Sequence, residues 1–153
     1  MKKHIVLDLD NTLVHSVFKP SGSYIIHQRP GLKRFLKTLF TSALSVSVWS
    51  AGTRPYVMTV VRKIFSPSQF YKLRFIYSRD QTVNINNMFI KNLRIMTKQS
   101  KDMNLKNTIL IDDRPEHMIL NAGRMYVIPE WTYGNKDFEL EKLRLKIIAR
   151  KIM

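Results

Sequence analysis

Three short stretches of the chain are apolar on consecutive residues and then stop on polar groups: "HIVLDL" (4–9), "SVSVWS" (45–50) and "TILIDD" (108–113). A strand with one wet face alternates polar and apolar positions. Runs apolar on both faces predict parallel strands buried between helices. Weaker strands are predicted at "SYIIHQ" (23–28), "RFIYS" (74–78) and "MYVI" (125–128). Between them the period changes. In "RPGLKRFLKTLFTSA" (29–43), Leu32, Phe35, Leu36 and Leu39 recur at helical spacing with Lys and Arg between them. Further helices are predicted at "RPYVMTVVRKIF" (54–65), "KNLRIMTK" (91–98) and "NKDFELEKLRLKIIARKIM" (135–153). The last carries its acids early and its bases late, as the helix dipole favours. "KPSGS" (19–23) and "FSPSQ" (65–69) read as loops.

Alternating strands and helices predict an α/β fold with a central parallel sheet, right-handed crossovers and flanking helices. No repeat, low-complexity tract or linker interrupts the chain, so residues 1–153 are expected to form one domain.

In such a sheet, functional groups collect at the carboxyl ends of the strands. The first strand ends in Asp8-Leu9-Asp10-Asn11-Thr12, the second in Ser50-Ala51-Gly52 and the third in Asp112-Asp113-Arg114-Pro115. Topology therefore brings three distant polar clusters to one edge. Carboxylates that close repel one another unless a cation holds them. Asp8 and Asp112 can share a hard divalent ion such as Mg²⁺.

Charge adds a second theme. The chain carries 26 Lys and Arg against 11 Asp and Glu, a formal net charge of +15. That excess favours a polyanionic partner (a phosphorylated protein or peptide, or a nucleic acid), although a merely solvated basic surface has the same composition. With no cysteine, a thiolate nucleophile, a disulfide framework and a Cys-based zinc site are excluded. The aspartates follow the first apolar run at once, so no signal peptide is expected. No apolar run approaches the roughly 18 residues that span a bilayer.

"DLDNTLVHS" resembles the aspartyl-phosphate signature D-x-D-x-[TV] of the haloacid dehalogenase (HAD) superfamily. It is closer still to the RNA polymerase II C-terminal-domain phosphatase branch, also called NLI-interacting-factor-like, whose members commonly read "DLDETLVHS". "QRPGLKRFL", "VWSAGTRPYV", "SRDQT…FIKNL", "NTILIDDRPE" and "VIPEW…DFELEKL" resemble further segments of that branch, in order, across nearly the whole chain. The resemblance implies a Rossmann-like core with a minimal cap or none. Asp8 would be the nucleophile and Asp10 the general acid and base. Thr12, Ser50 and Lys91 would meet the phosphoryl group. Asp8, Asp112, Asp113 and the backbone carbonyl of Asp10 would serve Mg²⁺. Tyr56, Arg79 and Arg114 are candidate substrate contacts.

Each residue has a plainer alternative. Ser50 also stands where a cap for the helix near Arg54 would. Lys91 and Arg79 are two of many exposed-type cations, and Tyr56 suits a core as well as a substrate contact. Arg29-Pro30-Gly31 reads as a structural helix start. His4, His15, His27 and His117 have no metal-ligand spacing, and His15 suits a packed or surface role. Trp131 reads as packing, and the closing helix as docked on the sheet rather than on a membrane surface.

The chain also departs from the branch. Asn11 replaces the usual acid, Arg114 replaces the usual serine, and the region from Thr12 to Arg29 is short. An open site suits a phosphate displayed on a macromolecule. The expected function is therefore Mg²⁺-dependent hydrolysis of phosphoserine or phosphothreonine in a protein such as the polymerase tail. A polynucleotide terminal phosphatase and a catalytically silent phosphoprotein-binding domain are the alternatives. The expected setting is the nucleus or cytoplasm.

Overall fold

A computed structural model describes residues 2–152. Its centre is a five-stranded sheet built from β1 (His4–Leu7), β4 (Ser45–Trp49), β5 (Leu73–Tyr77), β8 (Thr108–Asp112) and β9 (Met125–Val127). The spatial order is β5-β4-β1-β8-β9 and every neighbouring pair is parallel. This is the central parallel sheet expected from the pattern, in the Rossmann-like form that the resemblance implies. β1 lies in the middle, which explains why Ile5, Val6 and Leu7 are all fully buried. Ile5 and Leu7 face one core with α1 (Leu32–Ser42), α2 (Arg54–Ile64) and α6 (Glu139–Ile148). Val6 faces a second, smaller core with Trp49, Leu93, Met96 and Leu110. The apolar stripe of α1 buries Leu32, Phe35, Leu36 and Leu39, and α1 packs on α6. Each such side chain contributes roughly 1.5–3 kcal/mol by leaving water.

Two antiparallel hairpins stand outside the sheet. β2 (Val14–Phe18) pairs with β3 (Tyr24–Gln28), and β6 (Val83–Ile85) pairs with β7 (Met88–Ile90). The residues after β3 turn through Gly31, whose φ of 83° suits glycine, before α1 begins. The segment 65–69, read from its Ser and Pro as a loop, instead enters the short helix α3 (Pro67–Lys72). Ser66 caps it and Gln69 bonds back to the Ser66 N–H, so the polar residues form a capping box. The helices predicted over 91–98 and 135–153 are shorter, α4 (Leu93–Thr97) and Glu139–Ile148. Asn92, whose side chain caps α4, marks why that helix cannot begin at Lys91. α5 (Met118–Asn121) is a single turn between β8 and β9.

Among the described residues, no helix is long and apolar enough to cross a membrane.

Candidate active site

Strand register sets the site. Leu7 is level with Val48 on one side and with Ile111 on the other. One step further, Asp8 emerges beside Asp112, and the Asp8 N–H donates to the Ile111 carbonyl at 3.0 Å. Ser50 leaves β4 at the same edge, donating its N–H to Tyr77. The chain after Asp8 folds back at once. Thr12, Leu13 and Val14 all donate to the Leu9 carbonyl, and Asn11 takes a φ of 60°. Asparagine tolerates that left-handed conformation better than the usual glutamate. Its side chain donates to the Trp131 carbonyl, tying the loop to the segment before α6.

Arg29 braces this loop from below. Its guanidinium forks onto Asp137 at 2.7 and 2.9 Å, and also donates to the Thr12 and Pro129 carbonyls.

The centre of the site is a buried cation among carboxylates. Lys91 Nζ lies 2.6 Å from Asp8 Oδ1 and 2.5 Å from Asp112 Oδ2. Burial works against the Lys91 charge, but Asp8 and Asp112 more than offset it and hold its pKa above the ordinary range. Asp112 Oδ1 accepts the Arg114 N–H at 2.9 Å. Burial, and then the Asp8 charge, raises the pKa of both Asp112 and Asp113. Oxygens of Asp8, Asp112 and Asp113 lie within 4.8 Å of one another. Three carboxylates face one buried ammonium. A divalent cation would restore the balance, and an all-oxygen donor set fits Mg²⁺.

Thr12 sits inside the carboxylate cluster. Its hydroxyl does not face the open cleft. It is fully buried, 2.8 Å from Asp8 Oδ2 and 3.1 Å from Asp113 Oδ1, and accepts the Asp113 N–H. One hydroxyl proton is shared between two carboxylates and orients them. Ser50 does not cap α2, whose N-cap is Thr53. Its Oγ accepts the Gly52 N–H at 3.0 Å. A side chain at Gly52 would collide with Tyr56, its Cβ only 2.7 Å from the ring.

Tyr56 reaches the site from α2. Its hydroxyl donates to Asp10 and lies 2.5 Å from Ser16 Oγ. Burial raises the Asp10 pKa, and the Tyr56 hydrogen bond opposes that rise. Two adjoining clefts of about 300 Å³ open here. One is lined by Asp10, Ser16, Tyr24 and Tyr56, the other by Asp8, Lys91, Asp113 and Arg114, and Arg79 borders both. Arg79 Nε donates to the Ala51 carbonyl while its guanidinium lies 4.5 Å from the Phe89 ring centre. The Arg114 guanidinium pairs with Glu116.

Two residues of this region are not visible in the sequence pattern. His117 and Asn121 are fully buried beside Lys91. His117 Nδ1 accepts the Lys91 N–H, and Asn121 Nδ2 donates to the Lys91 carbonyl. His15 accepts the Tyr133 N–H and packs edge-on to Trp131, a bracing contact for the hairpin.

Comparison with known proteins agrees with this geometry. The chain is 27% identical over 158 residues to an RNA polymerase II C-terminal domain phosphatase of Encephalitozoon cuniculi, covering 95% of this chain and 36% of that protein. It is 31% identical over 136 residues to the mitochondrial import inner membrane translocase component TIM50 of Caenorhabditis elegans, covering 89% and 28%. The solved structure of Fcp1, an essential RNA polymerase II CTD phosphatase, superposes with a TM-score of 0.70 at 19% identity, covering 97% of this chain and 48% of that one. The chain thus spans less than half the length of each, and the fold is that of the HAD phosphatases. The model of the NLI interacting factor-like phosphatases matches residues 3–151, and the chain belongs to that family.

Proposed function

We propose that the chain is an Mg²⁺-dependent phosphomonoesterase that forms an aspartyl-phosphate on Asp8 and acts on phosphoserine or phosphothreonine of a protein. The observation that carries this reading is the Lys91 ammonium held between Asp8 and Asp112. A pair of aspartates in an ordinary turn needs no buried lysine from 83 residues away.

An Asp8 carboxylate oxygen attacks phosphorus while the ester P–O bond breaks, and Asp10 gives its proton to the leaving oxygen. Asp10 then takes a proton from water as that water attacks the aspartyl-phosphate. Inorganic phosphate leaves, and both carboxyl groups return to their starting states. Burial raises the Asp10 pKa, which favours keeping the proton for the first half-reaction. Lys91 offsets charge on Asp8 and the phosphoryl group. Ser50 Oγ, already accepting from Gly52, retains its own proton for a phosphoryl oxygen. Thr12 orients Asp8 and Asp113. Asp8, Asp112, Asp113 and the Asp10 carbonyl would hold Mg²⁺, which when bound supplies further charge neutralisation at the phosphoryl oxygens.

The hairpins flanking the site are small, and the clefts stay open beside Arg79 and Arg114. That openness supports a phosphate displayed on a macromolecule. The net charge of +15 favours a second reading, hydrolysis of terminal phosphates on a polynucleotide. Asp8, Asp10, Lys91, Asp112 and Asp113 are all present, which argues against a silent binding domain. The nuclear or cytoplasmic setting follows the CTD phosphatase relative, and the TIM50 relative points to a different one. Fractionation of the tagged protein decides between them.

The test is turnover of p-nitrophenyl phosphate with Mg²⁺, followed by competition between a phosphopeptide and a phosphorylated oligonucleotide. Asp8→Asn should fold and lose roughly 10³-fold or more in kcat, because an amide cannot form the acyl phosphate. Near-native turnover in that variant would refute the mechanism. Stronger competition by the oligonucleotide would select the second reading.

A further inference from the structure

Lys91 has an unusual mounting for the cation on which the site depends. It follows β7, a strand of the outlying β6–β7 hairpin, so no ladder of the central sheet sets its height. Its side chain is long and has many rotamers. Yet its ammonium must lie level with Asp8 on β1 and Asp112 on β8.

What ties its peptide unit to the sheet is the turn after β8. The Lys91 N–H donates to His117 Nδ1 at 3.2 Å. The Lys91 carbonyl accepts from Asn121 Nδ2 at 2.7 Å. The same Asn121 amide donates to the His117 carbonyl at 2.7 Å and accepts the Leu93 N–H at 2.9 Å. Both side chains are 0% exposed. They therefore grip the peptide groups on both sides of Lys91 and join them to the segment that begins with Asp112.

The hydrogen bond at Nδ1 also settles the histidine tautomer. Its lone pair is taken by the Lys91 N–H, so the ring proton sits on Nε2. Among the described residues Nε2 has no hydrogen-bond partner, and it lies 3.7 Å from Asp112 Oδ2. An N–H in that position is a donor turned toward a carboxylate and has no lone pair to offer a metal.

We infer that His117 and Asn121 are positioning residues that clamp the Lys91 peptide unit and so set where its ammonium stands between Asp8 and Asp112. The functional weight of the clamp rests on the phosphatase reading of Lys91, but the clamp itself can be tested without turnover.

Lys91 is 1% exposed, so its amine is shielded from reagents. The experiment is reductive methylation with site-resolved mass spectrometry on the whole chain. Wild type is compared with His117→Leu, Asn121→Ser and His117→Asn, whose amide oxygen can replace Nδ1. Leu39→Val, in α1 and remote from the site, supplies a destabilised control, with melting curves used to match the folded fraction. Losing a buried hydrogen bond should speed Lys91 methylation about tenfold or more in His117→Leu and Asn121→Ser. His117→Asn and the control should keep Lys91 close to wild-type protection. Should His117→Leu fail to fold, Asn121→Ser carries the same comparison.

Turnover is the second readout. Displacing Lys91 by about 1 Å should cost up to 10²-fold in kcat in the clamp variants. Lys91 methylation no faster in them than in the control would overturn the clamp, whatever the turnover. Wild-type protein that hydrolyses no phosphate would refute the phosphatase reading and leave the methylation result standing.

Discussion

The Tyr56 hydroxyl donates a hydrogen bond to Asp10, the residue proposed to carry a proton to the leaving group. Ser16 lies against the same hydroxyl, so a strand of the β2–β3 hairpin, α2 and the Asp8–Thr12 loop meet at one oxygen. Burial alone would raise the Asp10 pKa further, and Tyr56 restrains it. The contact also fixes which way the carboxyl group points. The proposed role of Tyr56 is therefore to act through Asp10, beside the substrate contact or core residue that the sequence suggests.

Tyr56→Phe separates these roles. A serine alkoxide is a poor leaving group and needs a proton as the P–O bond breaks. p-Nitrophenolate leaves without one. With Asp10 no longer held, kcat/KM for a phosphoserine peptide should fall by about 10-fold or more, as expected when general acid catalysis worth roughly 10²–10⁴ is partly lost. The value for p-nitrophenyl phosphate should fall less than about threefold. Equal losses on both substrates would make Tyr56 a binding group instead.

The sheet and the carboxylates are legible in the sequence because both follow from local patterns. Ile5, Val6 and Leu7 declare a strand buried on two faces, and Asp8 and Asp112 fall at the ends of such runs. The hairpins are less legible. β6 and β7 are three residues each and pair only with one another, too short for alternation to register. His117 and Asn121 leave no trace because their partners are backbone atoms 26 and 30 residues earlier. Side-chain periodicity carries no information about such contacts. Thr12 is a related case: the motif identifies the hydroxyl, and only the fold shows that Asp8 and Asp113 already share it.

Arg29 should be a stability residue first. Its guanidinium is buried and forks onto Asp137, whose own side chain is only 10% exposed. Removing one partner leaves the other charge stranded, which costs about 3–5 kcal/mol. Arg29→Ala should therefore lower the melting temperature by roughly 10 °C. Arg29→Lys should recover little, since an ammonium cannot reproduce the fork or reach the Thr12 and Pro129 carbonyls at once. A melting temperature unchanged in Arg29→Ala would show that the pair contributes nothing net.

His4 predicts the acid side of the stability profile. It opens β1 with Nδ1 2.8 Å from Ser45 Oγ, and burial lowers its pKa from the ordinary 6.5. The folded chain therefore keeps His4 neutral at a pH where the unfolded chain protonates it. The sign follows: its contribution is complete above about pH 6.5 and is lost as pH falls through the folded-state value. His4→Gln cannot titrate, so its melting temperature should decline less than that of wild type between pH 7 and pH 5. Parallel curves would assign the acid sensitivity to other groups.

Magnesium should stabilise the fold as well as support turnover. Asp8, Asp112 and Asp113 repel one another, and Lys91 compensates only one negative charge. A cation that binds the folded chain alone adds RT ln(1 + [Mg²⁺]/Kd), about 2.7 kcal/mol at a hundredfold excess over Kd. The melting temperature should rise with Mg²⁺, return with EDTA and rise again on refilling. Asp112→Asn removes one charge and one anionic oxygen pair. It should melt at or above the metal-free wild type, because the repulsion is relieved, while losing most of the response to Mg²⁺ and most of the turnover. That combination distinguishes a metal ligand from a residue that merely packs, since a packing defect lowers melting and leaves the Mg²⁺ increment intact. Wild type with no Mg²⁺ increment, or Asp112→Asn with a full one, would remove these carboxylates from the metal site.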